Sequence, residues 1–246
     1  MMLSPKGNNR IKFVALTDIG SKKKTNQDRL LTRPLDATVS LCAVIDGLGG
    51  QPGGEEAAEI ALAILEGYTL AGTDYEAQLR RLLQKINSSI IERGNREPDL
   101  YNMGAAATIL LLGKHRAWWA HIGDCRLYHV HENTPILITE DQNLAWELFA
   151  DNKISEEQCR THRLSRFLSQ CLGEDDIRPL SGSFPVSAGD NLLLCTDGIH
   201  DLLPQKILAG ILTEKKSLDK RAEKLLHTAL KYGGDDNIAL ILLQVP

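Results

Sequence analysis

Residues 106–135 read AATILLLGKHRAWWAHIGDCRLYHVHENTP. Three strand-like runs, Ala106–Leu112, Arg116–Ile122 and Arg126–Val130, are divided by breaks at Gly113 and Gly123 and closed by the polar stretch His131–Pro135. Consecutive runs with breaks this short predict an antiparallel meander. Upstream, Ile11–Asp18 alternates apolar and polar residues, and Val39–Asp46 is nearly all apolar; both read as strands. Between them and the meander lie two helical patterns. From Gly54 to about Tyr68, the residues Ala57, Ile60, Ala61, Ile64, Leu65 and Tyr68 share one face, with Glu55 and Glu56 in a first turn that favours anions. A second helix capped by Asp74 presents Leu79, Leu82, Leu83, Ile86 and Ile90. Downstream, residues 142–180 are helical and irregular, with Ser155 and Gln158 spaced as a capping box. Asn191–Thr196 is a strand, Ser217–Tyr232 a helix stopped by Gly233, and Asn237–Val245 a last apolar strand. Strands that mostly neighbour in sequence, covered by a few helices, give an α+β class with antiparallel sheets.

Composition narrows the function. The chain has 246 residues, 43% of them hydrophobic and 24% charged, which excludes a wholly disordered chain. A formal charge of −4 provides no global basic field, so nucleic acid is not an expected partner. No run of about 18 apolar residues is present, so no membrane span is expected. Residues 1–10 are polar and read as a flexible N-terminus without the apolar stretch of a secretory signal. Five scattered cysteines without a Cys-x-x-Cys pair point to a reduced, cytoplasmic protein in which they act as small buried hydrophobes.

The aspartates are the informative residues. Val44-Ile45-Asp46-Gly47 and Thr196-Asp197-Gly198 each put a carboxylate and a glycine at the end of an apolar run; Gly123-Asp124 marks a strand break, and Asp235-Asp236 precede the last strand. Any one of these alone is better read as a turn former. Four together, each beside a core where an unpaired carboxylate is costly, favour convergence on a cation. A set of oxygen ligands with no required His or Cys suits Mg²⁺ or Mn²⁺.

Six blocks in order then resemble the metal-dependent protein serine/threonine phosphatases of the PPM, or PP2C, type in their bacterial form. They are Thr17-Asp18-Ile19-Gly20 to Asn26-Gln27-Asp28; Val44 to Gly50 with Gly53-Gly54-Glu55; Ile122-Gly123-Asp124-Cys125-Arg126-Leu127-Tyr128; Thr139-Glu140-Asp141-Gln142; Gly189-Asp190-Asn191 leading to Asp197-Gly198; and Gly234-Asp235-Asp236-Asn237-Ile238. The resemblance implies a single phosphatase domain over residues 11–246, built as two packed antiparallel sheets flanked by helices with the metals at one edge. It implies that Asp46 bridges two Mn²⁺ or Mg²⁺ ions, that Asp197 and Asp236 complete the first site, and that the Gly47 carbonyl serves the second. Asp124, with Asp197, would hold a third and weaker ion, and Asp28 would orient the attacking water. The implied reaction is hydrolysis of phosphoserine and phosphothreonine in protein substrates by a hydroxide bridging the metals, opposing a cognate Ser/Thr kinase.

The chain also departs from the family pattern. Lys23 stands where an arginine commonly contacts substrate phosphate; lysine offers a point charge without the planar fork. Leu48 replaces the histidine of eukaryotic members, so protonation of the leaving group must come from another source. Gln27 and Gln51 replace a glutamate and a histidine of some relatives, and Ala105–Thr108 replaces a small-Thr-Thr run. No expected metal ligand is lost. The competing reading is a catalytically weak, phosphatase-like regulatory binding module, against which the intact Asp46, Asp197 and Asp236 argue.

Overall fold

In the computed structural model, residues 11–49 and 53–246 are described. The N-terminal segment 1–10 expected to be flexible, and Gly50 and Gln51 of the motif region, lie outside the described residues.

Strand β10 (Ile238–Gln244) is the spine of the first sheet: six successive apolar residues, all buried. A strand can be apolar without alternation only when both of its faces are covered. Here β10 lies between β1 (Lys12–Asp18) and β9 (Asn191–Cys195), in a five-stranded sheet completed by β6 (Arg126–His131) and β7 (Thr134–Leu137). The second sheet runs in the order β2 (Asp28–Pro34), β3 (Ser40–Gly47), β4 (Ala105–Leu112), β5 (Arg116–Ile122), β8 (Leu180–Pro185). Every strand pairing is antiparallel.

Three apolar layers follow. Between the sheets, Val44, Leu110, Leu127, Leu194, Ile241 and Leu243 interdigitate. Outside the second sheet, α1 (Gly54–Glu66) and α2 (Tyr75–Arg96) cover Leu41, Ile45, Ile109 and Leu111. The face predicted for α2 is the buried one: Leu79, Leu82, Leu83, Ile86 and Ile90 are all in this layer. Asp74 caps α2 by accepting from the Ala77 N–H at 3.2 Å. Outside the first sheet, α5 (Asp197–His200), α6 (Gln205–Leu212) and α7 (Leu218–Lys231) bury Ile199, Leu208, Leu212, Leu225 and Ala229. The architecture is thus helices, sheet, sheet, helices. The adjacent Trp118 and Trp119 point to opposite sides, as strand alternation requires. Trp118 packs edge-on against Tyr75 of α2, with ring centroids 4.8 Å apart, and Trp119 enters the layer between the sheets.

The meander expected over 106–130 is only half present. β4 and β5 pair, but β5 continues to β8, and β6 belongs to the other sheet. The chain changes sheets at Gly123-Asp124-Cys125. Gly123 adopts φ 96°, and a Cβ there would stand 2.4 Å from the Ala106 Cβ. Its N–H donates to Gln142 Oε1 at 3.0 Å, and its carbonyl accepts from the Gln142 N–H at 2.7 Å. The break spends its backbone bonds on Gln142 instead of closing a hairpin. The crossing lifts Asp124 to the rim of the sandwich.

Edge strands β2 and β8 and helix α6 were not legible from periodicity. β2 carries Arg29, Thr32 and Arg33, and its Arg29 pairs with Glu59 and Glu55 of α1 at 2.7 and 3.1 Å. Within the segment 142–180, read as helical and irregular, α3 (Leu144–Ala150) and α4 (Glu156–Thr161) form, the latter with the expected Ser155–Gln158 capping box. Leu194 is fully buried between the sheets. Leu194→Ala should therefore cost about 2–5 kcal/mol by leaving a cavity, read as a lowered urea midpoint with an unchanged slope.

Candidate metal centre

All the sequence-expected aspartates arrive at one rim of the sandwich because each lies at a strand terminus. Asp28 opens β2 directly opposite Asp46 on β3. Asp197 follows β9, Asp236 precedes β10, and Asp124 sits at the crossing between β5 and β6. The backbone needs glycine where these termini touch: a Cβ on Gly198 would lie 2.0 Å from the Asn237 carbonyl oxygen, and one on Gly47 would lie 2.2 Å from that of Gly54. Asn237 then ties the rim together. It accepts from the Gln27 N–H at 2.9 Å and donates to the Ile19 and Thr25 carbonyls at 2.8 and 2.9 Å. The loop holding Lys23 is thereby fixed to the start of β10.

Asp28 forms the floor, at 3% exposure; Asp46, Asp124, Asp197 and Asp236 are half-buried and reachable from solvent. Asp28 Oδ2 accepts from the Thr196 hydroxyl at 2.9 Å, whereas Oδ1, equally buried, has no hydrogen-bond partner. A buried carboxylate oxygen without a donor calls for a ligand or water. Burial, and then the neighbouring Asp197, push the Asp28 carboxyl up to about 8. Burial, then Asp201 and Asp236, push Asp197 up to about 7, offset in part by its side-chain hydrogen bond with Asp46. Asp46 and Asp124 are raised further in the same direction, first by burial and then by Asp197. The carboxylates thus feel one another strongly, and together they repel.

Lys23 supplies the one cation in contact with the set among the described residues: its Nζ lies 2.5 Å from Asp236 Oδ1. Burial lowers the Lys23 ammonium, but Asp236, Asp197 and Asp46 more than offset this, and its pKa is raised. The carboxylates form no tight cage around a single point. Among the described residues, only His129, His131 and Asp190, at another place, bring three ligand atoms within 4.8 Å of one another.

Several residues beyond the aspartates support the rim. Thr196 and Asn237 were visible only as motif letters. Arg126 and Asp141 form a buried two-armed ion pair at 2.8 and 2.6 Å beneath the Asp124 corner. His200 donates from Nε2 to the Asp124 carbonyl at 2.9 Å, which steadies that corner from below. His121 is buried, bonded to Thr108 at 2.8 Å, and pushed down to about 4 by burial; it is a structural neutral imidazole.

An oxygen-only set of partly solvated carboxylates, repelling one another around a partnerless Asp28 oxygen, fits hard divalent cations that keep several waters. A two-sheet sandwich with carboxylates at this rim is the arrangement that the resemblance to the metal-dependent protein serine/threonine phosphatases implies. The chain belongs to the protein phosphatase 2C family, whose model matches residues 20–242. It is 31% identical to the serine/threonine phosphatase stp of Listeria welshimeri over 93% of either chain. The crystal structure of the serine/threonine phosphatase PstP/Ppp of Mycobacterium tuberculosis superimposes with a TM-score of 0.87 at 28% identity, covering 96% of this chain and 98% of that one. A structure of the PstP catalytic domain in complex with two manganese ions matches with a TM-score of 0.84 at 28% identity, over 95% and 97%. The enzyme uses divalent metal ions and acts on phosphoproteins.

Raised carboxyl pKa values make a prediction for the metal-free protein. The folded form binds these protons more tightly than the unfolded chain, where the value is near 3.8. The stabilisation is complete below that value and is lost as pH rises toward about 7 and 8. In EDTA the melting temperature should fall over that range, and added Mn²⁺ should restore it most at the alkaline end. A flat profile in EDTA would contradict the convergence of charge described above.

Proposed function

We propose that Asp46, the Gly47 carbonyl, Asp197 and Asp236 hold two Mn²⁺ or Mg²⁺ ions, and that Asp124 with Asp197 holds a third, weaker one. The observation that carries this reading is the convergence of half-buried carboxylates on a floor residue with a partnerless oxygen. Their spread, wider than a single-ion cage, favours ions that keep waters in their shells. When bound, such ions supply Lewis acidity to the attacking water and offset charge on the phosphoryl oxygens.

The chain's own groups do the rest. Asp28 holds Oδ2 fixed through the Thr196 hydroxyl and turns Oδ1 to orient the water for in-line attack. Lys23, anchored beside Asp236, exchanges that contact for a phosphoryl oxygen of the substrate. Asn237 and the two close glycine contacts hold these groups on rigid backbone, so that little rearrangement accompanies reaction. Residues 11–246 act as a single domain, because both sheets and all three apolar layers draw on strands spread along the chain. The buried thiols Cys42, Cys125, Cys171 and Cys195 support a reducing, cytoplasmic setting in which the enzyme opposes a Ser/Thr kinase.

Hydrolysis of a phosphothreonine peptide with Mn²⁺, beside an EDTA control, tests the assignment. Asp197→Asn and Asp236→Asn should each lower kcat about 100-fold or more while the fold persists, since even indirect supports of a metal are worth 10–100-fold. Near-normal turnover in both would remove these residues from the centre. Lys23→Met should lower kcat/KM about 10–100-fold, as expected for one charge-assisted bond. The loss should appear mainly in KM and be largely restored in Lys23→Arg.

A further inference from the structure

At the rim opposite the aspartates, β6 ends in His129-Val130-His131. Residues two apart on a strand share a face, so both imidazoles point the same way. They meet Asp190, in the turn before β9. His129 Nε2 lies 2.8 Å from Asp190 Oδ2, and His131 Nδ1 lies 2.9 Å from Asp190 Oδ1. Asp190 is held in turn by the Ser187 N–H, which donates to Oδ2 at 2.9 Å. Phe184 of β8, in the other sheet, lies against the His129 ring with centroids 4.8 Å apart and fixes its orientation. The carboxylate and His129 are buried, and His131 leaves its side chain 46% exposed as the way in.

We infer that His129, His131 and Asp190 form a second metal site, distinct from the aspartate centre and selective for a borderline transition ion of the zinc class. Three observations support it. The donor set is two imidazoles and a carboxylate, which prefers Zn²⁺ over the Mg²⁺ and Mn²⁺ suited to an all-oxygen set. The three ligand atoms already lie within 4.8 Å of one another. Around a tetrahedral zinc with bonds of 2.0–2.2 Å they would be about 3.3 Å apart, so small side-chain rotations suffice. Third, the supports expected around such ligands are in place: a backbone N–H on the carboxylate and a ring packed on the buried imidazole. Although burial raises the Asp190 carboxyl, the Ser187 N–H and the two imidazoles hold it below the usual range, so the ligand is an anion at neutral pH. Water reaching the exposed His131 would complete a tetrahedral set.

The site would staple β6 to the turn entering β9. These strands pair with Arg126 opposite Cys195 at one end and Val130 opposite Asn191 at the other. The two metal sites therefore lie beyond opposite ends of the same strand pair, whose paired positions span about 13 Å at 3.3 Å per residue.

Zinc uptake by chelator-stripped full-length protein tests this, measured by competition with a chromophoric chelator in millimolar Mg²⁺ to occupy the aspartate centre. Wild type and an Asp46→Asn, Asp197→Asn double variant should each bind one tight equivalent. His131→Ala, which removes an exposed side chain and leaves the circular dichroism unchanged, should weaken that equivalent tenfold or more. Zinc should raise the melting temperature of wild type but not of His131→Ala. The proposal is overturned if the equivalent disappears in the Asp46→Asn, Asp197→Asn variant, if it survives unchanged in His131→Ala, or if no tight equivalent is found. Peptide hydrolysis in Mg²⁺ should be the same in His131→Ala as in wild type.

Discussion

Repulsion among carboxylates gathered at one rim is the constraint on which the rest depends. Burial and mutual charge raise Asp28, Asp46, Asp124 and Asp197 together. Left to side chains alone, such a set would splay toward solvent. It is held because each aspartate lies within two residues of the end of a strand, and the strand ends are locked by backbone contact. Gly198 lies against the Asn237 carbonyl, Gly47 against that of Gly54, and Asn237 binds the loop 19–27 from beneath. The apolar layers thereby supply the free energy that keeps the charges together, and a divalent cation relieves it.

Most of the layered fold was legible because its central elements carry strong patterns. β3, β4 and β10 are continuous apolar runs, and α2 shows five apolar residues on one stripe. What escaped was where packing and not pattern decides. β2 is an edge strand whose arginines answer glutamates on α1, so its apolar signal is diluted. The step from β5 to β6 reads as a hairpin, because a break of three residues says nothing about which sheet comes next. Only the bonds between Gly123 and Gln142, nineteen positions apart, divert it.

The centre divides in the same way. Aspartates beside glycines at strand ends were visible as a cluster, while the assignment of each to an ion rested on resemblance. Of the groups that support them, only His200, just after Asp197-Gly198, stands in the sequence where a supporting part is expected. Thr196 beneath Asp28, His200 beneath the Asp124 carbonyl, and the Arg126–Asp141 pair act across large sequence separations. Polar residues of this kind have no periodicity, and their meaning exists only once the strands are in register. The same is true of His129 and His131, which as sequence are two histidines in a strand and in space share one carboxylate.

The pairing of β1 with β10 has a consequence for biogenesis. Lys12 is matched to Gln244 and Asp18 to Ile238, so the first strand made waits for the last. At ribosomal rates of 5–20 residues per second, that delay is roughly ten to fifty seconds. Throughout it β1 presents an unpaired apolar edge, the kind that recruits chaperones or aggregates. Asp236 also emerges just before β10. The aspartate rim is therefore incomplete until residue 236 has been made.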